Sequence, residues 1–93
     1  MSAADIERAI ETIARDPSCG DLIQGTGGIR KVRFAIEGRG KRGGVRIVYL
    51  YYNESMPVFL LTVFGKNEKA NLTKAERNAL GVVARALRQS YGG

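Results

Sequence analysis

The chain has 93 residues, 15 of them lysine or arginine against 9 aspartates and glutamates, for a formal charge of +6 and a pI near 9.9. That length holds one small domain, 1–93, with little stability to spare, and the charge favours nucleic acid, an acidic protein or an anionic surface as partner. Having no histidine and a single cysteine, Cys19, it argues against a zinc site, a Ser/His triad or an internal disulfide, and we expect no cofactor, no metal and a reducing, cytoplasmic setting.

Ser2 as N-cap with Asp5 in the first turn, followed by Ile6, Ala9, Ile10, Ile13 and Ala14 at helical spacing, predicts an amphipathic helix over 3–15. Its polar face is acidic, so the apolar stripe is expected to pack on a sheet and not on a membrane. Asp16-Pro17 ends the helix and Gly20 marks the turn out. A short segment, Asp21 to Gln24, leads to Gly25-Thr26-Gly27-Gly28. No lysine and Ser/Thr follow those glycines, so they read as a tight turn and not as a phosphate loop.

Ile29 to Ile36 then alternates as a strand, with Val32, Phe34 and Ile36 toward a core and Lys31 and Arg33 on the other face. Val45 to Tyr52 is apolar on both faces apart from Arg46, and Val58 to Phe64 is apolar almost throughout. Short links make the three an antiparallel meander, and so apolar a strand implies cover on both faces or a partner across one. After a polar loop from Gly65 to Lys69, Thr73 and Glu76 form a capping box for a helix over 74–90, with Leu80, Val83, Ala84, Leu87 and Tyr91 along one side. Apolar runs such as Val58 to Leu61 are far too short to cross a bilayer.

Charge is not spread evenly. Residues 1–28 carry a net of −3 and residues 29–93 a net of +9, and Ile29 to Arg46 alone holds Arg30, Lys31, Arg33, Arg39, Lys41, Arg42 and Arg46 against Glu37. The meander brings Lys31 and Arg33 beside Arg46, and the loop holding Lys66, Asn67, Glu68 and Lys69 can reach the same side. Cleavage of RNA through its own 2′-hydroxyl needs a proton acceptor, charge on the phosphorane and a proton for the departing 5′-oxygen. The cations supply the charge, while Lys31 crowded by other cations, or Glu68, is a candidate base. From spacing alone, nucleic-acid or acidic-partner binding is favoured over catalysis, and a solvated face remains open. Of the aromatics Tyr49, Tyr51, Tyr52, Phe59 and Phe64, most are expected in the core, Tyr52 being the best placed for exposure.

The stretch GDLIQGTGGIRKVRFAIEGRGKRGGVRIVYLYY, followed by LLTVFGKNEKANLTKAE, resembles the RelE/HigB superfamily of toxins from bacterial type II toxin-antitoxin modules, in particular its HigB-like branch. The resemblance implies an α+β RelE-like fold of N-terminal helix, three-stranded antiparallel sheet and C-terminal helix. It also implies a metal-independent, ribosome-dependent mRNA endonuclease that cuts in the A site and inhibits translation. A cognate antitoxin, expected to carry a helix-turn-helix, would be the partner besides mRNA and the ribosome, with no membrane involved. Catalytic residues are then expected at Lys31, Arg33, Arg46, Lys66 and Glu68, and RNA or ribosome contacts at Arg30, Arg39, Lys41, Arg42, Asn67 and Lys69. RelE itself has an arginine that aligns with the Lys66-Asn67 region and a tyrosine whose nearest counterpart is Thr73.

Family members usually begin with a strand before the helical segment, and this chain begins at the helix. The implied alternatives are a sheet one strand short, a sheet completed by a partner strand, or a shortened form. Two rival functions follow the same fold: a ParE-like inhibitor of gyrase, disfavoured by the presence of Lys31, Arg33 and Arg46, and a non-catalytic RNA- or ribosome-binding module.

Overall fold

The computed structural model describes residues 3–35, 44–65 and 72–91. Helix α1 spans Ala3–Arg15, strands β1 to β4 span Asp21–Leu22, Ile29–Ala35, Gly44–Leu50 and Phe59–Gly65, and helix α2 spans Lys74–Ser90. The strands form one antiparallel sheet in the order β1-β2-β3-β4. The expected meander of long strands is present, but the sheet has four strands and not three. The short segment after Gly20 pairs Asp21 with Lys31 and Leu22 with Arg30. Two residues are too few for an alternation to show in the sequence.

β3 is apolar on both faces because both faces are covered. Val45, Ile47 and Tyr49 pack with Ala9 and Ile13 of α1, while Val48 and Leu50 pack with Ala84 of α2, Ile29, Met56 and Phe64. Val32 and Phe34 join the α1 side, as their alternation required, which leaves Lys31 and Arg33 on the α2 side. β4 differs, because a bulge between Val48 and Tyr49 lets Leu61 join Phe59 and Phe64 under α2. Leu60 and Val63 stay half-exposed on the α1 side.

Both helices span the expected ranges; Ser2, the expected N-cap of α1, lies outside the described residues. At α2 the Glu76 amide donates to Thr73 Oγ1 at 3.1 Å and the Thr73 amide to Glu76 Oε1 at 2.9 Å. The packed stripes are narrower than the sequence implied: Ala9 and Ile13 are buried, but Ile6, Ile10 and Val83 are half-exposed. Ala9, Ile13 and Ala84 are the buried helix residues of the two clusters, and only the residues nearest each contact line are covered.

The glycine turn works as the sequence indicated. Thr26 Oγ1 donates to Ile23 O at 2.6 Å and accepts from the Ile29 amide at 3.2 Å, closing the β1–β2 link. At Gly28 the backbone has φ +124°, and an added Cβ would lie 2.9 Å from Tyr51 O. Only glycine fits there.

Candidate functional site: a cationic cleft on the sheet

β2 and β3 pair in a register that places Arg33 directly opposite Arg46, and Lys31 opposite Val48. Directly paired residues share a face, so these three cations project from the side that α2 covers only in part. α2 sits over the Ile29, Val48, Leu50 and Phe64 half. The other half, toward Arg33 and Arg46, forms a cleft of about 560 Å³ lined by Cys19, Asp21, Lys31, Val32, Arg33 and Arg46. β1 ends after pairing with Arg30 and Lys31, so from Val32 onward β2 has no ladder partner on that side among the described residues. Its edge opens into the cleft.

Like charges directly opposite one another on a sheet destabilise it. Arg33 with Arg46 is therefore costly for folding and favourable for an anion: two guanidinium groups on a rigid strand pair form a fork for a phosphate. Asp21, the cross-strand partner of Lys31, puts one carboxylate beside them.

The turn that delivers Cys19 and Asp21 is anchored from below. Tyr49, fully buried, donates from its hydroxyl to Pro17 O at 2.6 Å and accepts from the Gly20 amide at 2.9 Å. Burial is the main cause that pushes this phenol from 10.0 up to about 12. Gly20 permits the contact, since a Cβ there would lie 2.8 Å from both Lys31 O and the Tyr49 hydroxyl. The wall of the cleft is thus set by β3 through a phenol that never reaches solvent.

Arg30 is not brought to this cleft. It pairs with Tyr49 on the α1 side, and its Nη1 donates to Gly20 O at 2.8 Å and Ser18 O at 3.4 Å. It therefore braces the same turn, and it does not crowd Lys31 on the α2 side. Tyr52 is exposed as expected, yet it lies past the end of β3 remote from Arg46, and Arg88 stacks over its ring at 5.0 Å. Lys66, Asn67, Glu68 and Lys69, like Arg39, Lys41 and Arg42, fall outside the described residues. Asp21, Cys19 and Tyr49 were not singled out for the site from the sequence. The β1 pairing, invisible in two residues, brings in Asp21, and the hydrogen bonds of the Tyr49 hydroxyl to Pro17 and Gly20 fix the turn that carries Cys19.

Fold and cleft together define a small α+β protein that sets three cations beside an open edge of an antiparallel sheet. A family model for the RelE toxin of the RelE/RelB toxin-antitoxin system matches residues 1–91. The chain belongs to that family: it is a toxin of a toxin-antitoxin system, and a cognate antitoxin is its partner. Among the described residues no helix is long and apolar enough to cross a membrane.

Proposed function

We propose that this toxin is a ribosome-dependent mRNA endonuclease of the HigB-like branch, cutting the message in the A site and arresting translation. The observation that carries the reading is the Arg33–Arg46 cross-strand pair, two guanidinium groups on one face of adjacent strands at a spacing that suits the oxygens of one phosphate. In this reading both arginines hold the scissile phosphate and stabilise the dianionic phosphorane as charge develops on it. Lys31 and Asp21 face each other across β1 and β2. A basic and an acidic side chain at one position supply proton transfer at the 2′-hydroxyl, with no metal required. The 66–69 segment, with Lys66, Asn67, Glu68 and Lys69, orients the codon, and Arg39, Lys41 and Arg42 dock on ribosomal RNA. The antitoxin, in this reading a helix-turn-helix protein, keeps the toxin silent in the cytoplasm until it is removed.

Primer extension on mRNA in a translating extract tests this. Wild-type toxin is expected to give stops within the A-site codon, and Arg46→Ala to abolish them while antitoxin binding persists. Cuts that persist in Arg46→Ala would remove Arg46 from the mechanism. The ParE-like rival makes the opposite forecast, relaxed DNA with intact message.

A further inference from the structure

Lys31 forms a wall of two cavities. On the side away from Arg33 it borders a second one, of about 760 Å³, between the 22–25 segment and the start of α2, lined also by Leu22, Gln24, Gly25, Leu72 and Arg77. The chemistry of this lining is unlike that of the first cleft. Leu22, 54% exposed, and Leu72 offer apolar surface. Gln24 is an exposed primary amide, able to donate and accept at once. Gly25, at φ +80°, leaves open space where a Cβ would stand. Arg77 is held in place, its Nη1 donating to Leu72 O at 3.1 Å, with the remaining guanidinium N–H groups on the same fork. The α2 N-terminus is occupied by its own capping box, so the positive groups of the lining are Arg77 on the helix and Lys31 on β2.

Apolar surface, one amide and one fixed guanidinium make up the lining expected of a site for a single nucleotide: the base lies on apolar side chains, its edge is read by hydrogen bonds, and its phosphate meets a cation. We propose that this cavity is a nucleotide subsite for the RNA residue next to the cleaved phosphate, with Leu72 under the base, Gln24 on its edge and Arg77 on its phosphate. Lys31, shared by both cavities, joins the subsite to the cleft that holds the scissile group. The choice of ligand rests on the endonuclease reading, and the subsite adds a source of sequence preference beside the cut.

Titrating the full-length toxin with each of the four 5′-nucleoside monophosphates, and separately with inorganic phosphate, while following backbone amide signals by NMR, tests the subsite without requiring cleavage. Nucleotides are expected to move the amides of Gln24, Gly25, Leu72 and Arg77, whereas inorganic phosphate moves those around Arg33 and Arg46. Arg77→Gln should weaken the nucleotide response about tenfold, the loss of one charge-assisted contact. Gln24→Ala should erase differences among the four bases. Identical maps for nucleotides and phosphate, or an unchanged response in Arg77→Gln, would overturn the subsite. Nucleotide binding here in a toxin that leaves translated message uncut would support the subsite and sink the endonuclease reading instead.

Discussion

The two faces of the sheet are built on opposite terms. On the α1 face β2 and β3 contribute Val32, Phe34, Val45, Ile47 and Tyr49, closed by Ala9 and Ile13. On the α2 face the same two strands contribute Ile29, Val48 and Leu50 under the helix and then Lys31, Arg33 and Arg46 beyond it. One face spends its positions on burial. The other gives up part of its burial to array like charges at fixed spacing, and this teaches where function resides: substitutions on the first face should change stability and leave the chemistry intact, while those at the charged positions of the second should act on the chemistry first.

The largest separation should come from Arg46→Ala. Loss of one preorganised group on the phosphorane is expected to cut cleavage by about 100- to 1,000-fold, measured by primer extension, with a melting curve alongside to show that the variant is folded. Ile13→Ala on the other face is the mirror case. It should lower stability by about 2–5 kcal/mol through the cavity it leaves, with cleavage per folded molecule unchanged in denaturant-calibrated assays.

Tyr49→Phe sits between the faces. It strips Pro17 O of its donor and the Gly20 amide of its acceptor, costing about 1–3 kcal/mol, and it loosens the turn that carries Asp21. The phenol also carries a pH signature. Its folded value, raised from 10.0 to about 12, means that the stability it contributes is complete below pH 10.0 and is lost as pH rises toward 12. The gap between wild type and Tyr49→Phe in chemical denaturation should therefore shrink across that window; a gap of constant size would show that the phenol is not held neutral by burial. Smaller still is Arg33→Ala, which relieves the cross-strand repulsion and should raise stability by about 0.2–1 kcal/mol while reducing cleavage. A variant that loses both would break the contrast between the faces.

Much of this architecture is legible in the residues themselves. The 3–15 and 74–90 helices have their caps and periodicity on the surface of the sequence, and alternation at Lys31, Val32, Arg33 and Phe34 already separates the faces. Pairing of Arg46 with Arg33 follows from the hairpin. What escapes is set by tertiary register. β1 is two residues long, too short for any pattern, yet it brings Asp21 to Lys31. The role of Arg30 turns on which side of β2 its guanidinium finds carbonyls to satisfy. Arg77 looks like one cation among several on an amphipathic helix, and only the cavity beside Leu22 and Gln24 distinguishes it. The half-exposed Ile6 and Ile10 were hidden for a related reason, since periodicity marks an apolar stripe but not how much of it a neighbour covers.

In the proposed function the uncovered half of the α2 face cuts RNA on the ribosome. Primer extension on a single message in a translating extract, with wild type and Arg46→Ala side by side, tests it most directly. Stops inside the A-site codon for wild type, absent in Arg46→Ala, are the expected result; arrested protein synthesis with the message intact under the wild-type toxin would contradict it.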